Sequence, residues 1–192
     1  MKIRALTTAL LLAASTLPAF AADSYDIDPR HSQVRFKYSH FGFSNIVGIL
    51  PDVNGKIVYD AANPAASKVD ATIGIASVRT GIDKLDQHLQ AADFFDIAQF
   101  PQATFRSTKV AAAGDGKLRV DGDLTIHGVT RPISLDVKLN AQGKHPMSGA
   151  PAIGFDATTA LKRSEFGVGK YAPNVSDDVA IEITIEATGP KL

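Results

Sequence analysis

The 192-residue chain has no cysteine and no tryptophan, and no net charge, with 20 Lys and Arg against 20 Asp and Glu. Without Cys there is no disulfide framework, thiolate zinc site, iron–sulfur cluster or cysteine nucleophile. Balanced charge argues against a nucleic-acid binder held by phosphate neutralisation, and against a polybasic membrane-surface protein. No G-x-S-x-G elbow, phosphate-binding glycine loop, G-x-G-x-x-G or H-E-x-x-H motif is present. Long apolar runs are scarce too. The uncharged stretch Ala5 to Ala22 carries four hydroxyl residues and Pro18, so it makes a poor spanning helix, and no second such stretch follows.

That stretch reads instead as a cleaved leader. Lys2 and Arg4 form a basic start, Ala5 to Ala14 an apolar centre, and Ala19-Phe20-Ala21 the small-x-small pattern of a signal-peptidase site. The expected division is therefore a signal peptide over 1–21, cut after Ala21, and one domain over 22–192, released into the periplasm without a membrane anchor. Cleavage removes two basic and no acidic groups, leaving the domain slightly acidic. With 45% hydrophobic residues and no Cys, its stability must come from a core alone.

Past Ala22 the dominant pattern is alternation with period two. From Lys117 to His127 every even position is apolar or Gly and every odd one polar. The same rhythm runs through Ile133, Leu135, Val137 and Leu139, and again through Val179, Ile181, Ile183 and Ile185. Strands with one apolar and one polar face belong to antiparallel sheets wetted on one side. The pattern predicts strands at 32–41, 46–60 with an irregularity near Pro51, 67–78, 103–112, 117–127, 131–142, 150–162 and 177–188. Turns fall at Asn63-Pro64, Gly114-Asp115-Gly116 and His127-Gly128. Eight long strands in up-and-down order predict an all-β protein, an eight-stranded antiparallel barrel whose closure removes exposed edges.

Thr80 to Ala92 breaks the rhythm. Ile82, Leu85, Leu89 and Ala92 recur at helical spacing, which predicts one capping helix at about 82–91, with Thr80 and Asp83 starting it in the manner of a capping box. The aromatic segment Asp93 to Pro101 reads as a plug beneath it. No two of the five histidines share the spacing of a metal site on one element. His31 and His40 remain able to meet in space, and His88 reads as lying on the polar helix face. Arg163-Ser164-Glu165-Phe166-Gly167 reads as a structural corner at the barrel rim. No nucleophile with its base is evident, and the chain is read as a binding protein, not an enzyme.

A barrel of this size is either filled by its own side chains or holds one apolar ligand, and both remain open on periodicity alone. The inward rows supply the candidate lining: Val34, Phe36, Ile73, Ile75, Phe105, Leu124, Leu135, Phe155, Ile181 and Ile183. Tyr38 and His40 continue the inward parity of the first strand and are the candidates for a polar headgroup.

Several blocks resemble one known family. They are Tyr25-Asp26-Ile27-Asp28-Pro29-Arg30-His31-Ser32-Gln33-Val34-Arg35-Phe36 leading to His40, Asn54 to Asp60, Ser77-Val78-Arg79-Thr80, and His88-Leu89 with Asp93-Phe94-Phe95-Asp96. Phe100 to Thr108, Gly122 to Thr130 and Arg163 to Gly167 follow. In order and spacing they are similar to the YceI-like polyisoprenoid-binding proteins, over nearly the whole domain. Leu50-Pro51 departs from that family's more regular strand. Ordinary lipocalins fit less well, because their G-x-W signature needs a tryptophan. The resemblance implies a lipocalin-like periplasmic barrel, often a homodimer, holding a polyprenyl chain, an isoprenoid quinone or a fatty-acid-like lipid. It implies no cofactor beyond such a bound lipid, no metal and no nucleic-acid partner. Promiscuous sequestration of lipophilic compounds and a His-dependent metal enzyme are the alternatives.

Overall fold

The computed structural model describes residues 23–190; the expected signal peptide, 1–21, lies outside them. Ten strand segments form one antiparallel sheet: β1 (Asp23–Ile27), β2 (Gln33–His40), β3 (Ser44–Leu50), β4 (Val53–Tyr59), β5 (Lys68–Gly74), β6 (Gln102–Ala112), β7 (Lys117–Ile126), β8 (Val129–Lys144), β9 (Pro151–Lys162) and β10 (Asp178–Thr188). The helix α1 spans Asp83–Gln90.

From β4 to β10 each strand pairs with the next in sequence, and α1 lies in the connection from β5 to β6. Closure comes from the N-terminus. β1 pairs with the end of β10 (Ile27 opposite Ala187) and β2 with its beginning and middle (Phe36 opposite Ile181), so the two share one edge. β3 pairs with β2 and β4 with β1, again as two halves of one position. Ten segments thus occupy eight positions of a closed barrel.

Both long N-terminal positions are broken. The sequence pattern missed β1, because Asp28-Pro29-Arg30 interrupts the alternation between it and β2. The irregularity expected near Pro51 is a full break. Pro51 has no N–H for the ladder, and Asp52 turns aside to accept Gly74 N at its carbonyl, 2.9 Å away. The strand expected at 67–78 ends at Gly74, and Ile75–Ser77 form a single 3-10 turn. A bulge between Ser107 and Lys109 shifts the parity of β6, so that odd-numbered Phe105 and even-numbered Val110 both turn inward.

The helix starts differently from the expected capping box. Ile82 is its N-cap and makes no side-chain cap. The buried carboxylate of Asp86 instead accepts from Thr80 N at 2.7 Å and from Thr80 Oγ1 at 2.6 Å, tying the preceding loop to the first turn. Asp86 outranks Asp83 because it lies on the buried face, where an unpaired carboxylate is costly.

Candidate ligand-binding site

The barrel is not solid. A cavity of about 350 Å³ runs through it, walled by the inward rows of all ten segments' positions and roofed by residues of α1 and the aromatic segment. Leu118 and Ile126, eight steps apart on β7, both line it. That separation is about 26 Å along the strand, or about 20 Å along the axis at a tilt of roughly 40°. The cavity is therefore an elongated slot.

All twelve residues expected to face inward line it: Val34, Phe36, Tyr38 and His40 from β2, Ile73 and Ile75 around the end of β5, Phe105 from β6, Leu124 from β7, Leu135 from β8, Phe155 from β9, and Ile181 and Ile183 from β10. Two glycines make room for rings. A Cβ at Gly48 would stand 2.2 Å from Phe36 Cζ, and one at Gly122 2.5 Å from Phe105 Cζ, so each ring lies over bare backbone of the neighbouring strand.

The two ends differ. Around Tyr59, Ser67, Val110 and Leu118 every lining residue is buried or nearly so. At the other end His40, His88 and Tyr171 line the cavity and are exposed. The mouth lies there, framed by the β2–β3 hairpin, α1 and the β9–β10 connection. These pieces are joined to one another: Phe41 N donates to Asn174 O at 3.0 Å, Ser176 N to Ser39 O at 2.9 Å, and Lys170 pairs with Asp93. That pairing, with a weaker contribution from His88, holds the Asp93 carboxyl below the usual carboxylate range. Phe43, 94% exposed, and Phe41, half exposed, stand beside the opening. The helix and the Phe94-Phe95 segment thus cover only part of this end, where a complete plug was expected.

His88 was expected on the polar helix face. It lies along the cavity margin, 4.8 Å from the Phe94 ring centroid and edge-on to it, with Nε2 3.3 Å from Asp93 Oδ2. Arg163, expected at a rim corner, is both a corner and a wall. Only 8% exposed, it donates from Nε to Ser176 O, from Nη1 to Val168 O and Lys170 O, and from Nη2 to Val175 O, all at 2.7–2.8 Å. It also lines the cavity. The signal was in the sequence: Phe155, Ala157, Thr159, Leu161 and Arg163 share one parity, and Arg163 is the last step of that inward row.

His31 and His40 do not meet. His31 precedes β2 and His40 ends it, with about 23 Å of strand between them. His31 instead joins Asp28 and Glu186, whose ligand-type atoms lie within 4.8 Å of one another. Asp28, however, is already engaged by Arg30, which donates to both its oxygens at 3.0 and 3.1 Å. The Arg30 guanidinium puts a positive charge where a cation would have to sit.

A closed eight-stranded barrel with one elongated apolar chamber and one mouth defines the class. Within it, the chain belongs to the YceI-like family: the family's model, a YceI-like domain, matches residues 25–187. The chain is 41% identical to Protein YceI of Escherichia coli O6:H1 over 175 residues, 90% of each chain. It superposes on BcnA of Burkholderia cenocepacia with a TM-score of 0.76 at 29% identity, covering 84% of this chain and 99% of that one. A polyisoprenoid binding domain from Saccharophagus degradans, implicated in plant cell wall breakdown, shares the fold at a TM-score of 0.65 and 18% identity, over 89% of this chain and all of that one.

Proposed function

We propose that this protein carries one long apolar molecule, of the polyisoprenoid, isoprenoid-quinone or fatty-acid kind, inside the barrel. The observation that carries the reading is the chamber itself, whose walls are almost wholly aliphatic and aromatic over a length of about 20 Å. Burying a chain there removes apolar surface from water at about 25 cal/mol per Å² before ordering costs. The polyisoprenoid binding domain that shares the fold supports the same ligand class. The leader pattern of residues 1–21 supports export and carriage in the periplasm.

Organic extraction of protein purified from its own host tests this directly. The expected result is a lipophilic molecule at close to one per barrel, released on denaturation and visible by native mass spectrometry. Protein that leaves its host empty, and takes up no apolar chain afterwards, would sink the proposal.

A further inference from the structure

Arg163 is a buried charge on the chamber wall without a carboxylate partner. No Asp or Glu oxygen lies within salt-bridge distance of it among the described residues. The acid whose field reaches it, Asp177, is already engaged: its two oxygens accept from Ser164 N at 2.8 Å and from Ser164 Oγ at 2.7 Å. Four main-chain carbonyls take four of the guanidinium's five N–H groups. The fifth, on Nη2, has no acceptor among the described residues. Carbonyl dipoles stabilise such a cation in part, yet they leave its net charge uncompensated.

Tyr38 stands across from it. Pairing of Lys37 with Ala180 and of Val179 with Leu161 brings Tyr38 to the level of the β9 terminus, and both side chains line the same cavity, with Tyr38 within reach of the Arg163 charge. The Tyr38 hydroxyl has no hydrogen-bond partner among the described residues. The Tyr38 hydroxyl and one Arg163 N–H are therefore donors without acceptors on residues that line the mouth end of the chamber, beside His40, His88 and Tyr171, while the far end is lined by Leu118, Val110 and Phe155.

We infer that Arg163 and Tyr38 form the headgroup site, and that it selects a ligand ending in an acceptor oxygen, a carboxylate or a quinone-type carbonyl, over one ending in an amine or in plain hydrocarbon. The chain then runs from the mouth toward Leu118. This deepens the proposed carriage and rests on it. The one N–H left on the guanidinium suits an oxygen with available lone pairs, and the net positive charge repels an ammonium.

The test is a chain-matched series bound to the delipidated wild-type protein: hexadecanoate, a hexadecyl-benzoquinone, hexadecylamine and hexadecane, each below its aggregation limit. The expectation is that at least one oxygen-bearing ligand binds roughly tenfold or more tighter than the amine and the hydrocarbon. Preference for hexadecanoate assigns an anionic headgroup, and preference for the quinone a neutral carbonyl. Tyr38→Phe, which leaves the four carbonyl bonds of Arg163 untouched, should weaken the preferred ligand about fivefold and hexadecane not at all. Arg163→Met, if its circular dichroism shows the barrel intact, should abolish the discrimination. Equal binding of all four ligands by wild-type protein, or unchanged discrimination in both variants, overturns the headgroup site while leaving carriage standing. Failure of every chain to bind overturns the carriage reading itself.

Discussion

Tyr59 meets Phe155 edge-on, with ring centroids 5.6 Å apart and planes at 74°, and the pair closes the chamber at the end away from the mouth. Each ring is more than nine-tenths buried, and the edge-to-face geometry adds to the area they bury. Phe155→Ala should lower stability by about 3 kcal/mol, read from urea unfolding. A loss below about 1 kcal/mol would mean that the ring is not packed as described.

A tryptophan placed in the slot should block loading without unfolding the barrel. Ile73→Trp and Leu124→Trp introduce a large side chain where the wall faces the cavity, so the added volume has space to occupy. Native mass spectrometry should find the variants empty where wild-type protein is loaded, with circular dichroism unchanged. Full loading in both variants would place the ligand elsewhere.

Gly48 should resist substitution because of Phe36. An added methyl at position 48 overlaps the ring, so Gly48→Ala should destabilise by about 1–3 kcal/mol. Shortening the ring in the double variant Gly48→Ala/Phe36→Leu should recover part of that loss. Additive costs in the double-mutant cycle would mean that the two positions do not touch.

Asp28 should govern part of the acid response. Side-chain bonds from Arg30, with the Arg30 N–H and His31 adding to them, hold its carboxyl well below the usual carboxylate range. The folded state then binds fewer protons than the unfolded one below about pH 4, so stability falls as pH drops through that region. Asp28→Asn removes this group, and its unfolding free energy should depend less steeply on pH between about 4 and 2. An identical slope would show that other carboxylates dominate there.

The inward rows were legible because alternation along a strand is a direct record of which face meets the chamber. Parity alone put Val34, Phe36, Leu124 and Ile183 on the inward face. β1 was not legible, since Asp28-Pro29-Arg30 hides the continuity that only pairing with β10 restores. Arg163 illustrates a different limit: its parity pointed inward, but a charge there contradicts the expectation for a buried row. Its four carbonyl acceptors, supplied by residues 168–176, come together only in the folded loop. Pairing of Thr80 with Asp86 in preference to Asp83 depended likewise on which helix face is buried. Whether the barrel is hollow could not be read from aliphatic composition, because a packed core and a chamber wall use the same residues.

The seam between the first and last strands has a consequence for biogenesis. Ser32 Oγ accepts Glu186 N at 3.1 Å across 154 residues of sequence, and β1 and β2 find their partners only on β10 and on the broken β3–β4 strand. Until Asp178–Thr188 has been made, β2 and β9 both keep an unpaired edge and the barrel stays open. Contacts of such long separation form slowly, so the growing polypeptide should stay protease-sensitive through nearly all of its synthesis. A nascent chain stopped at residue 177 should be digested where the completed one survives.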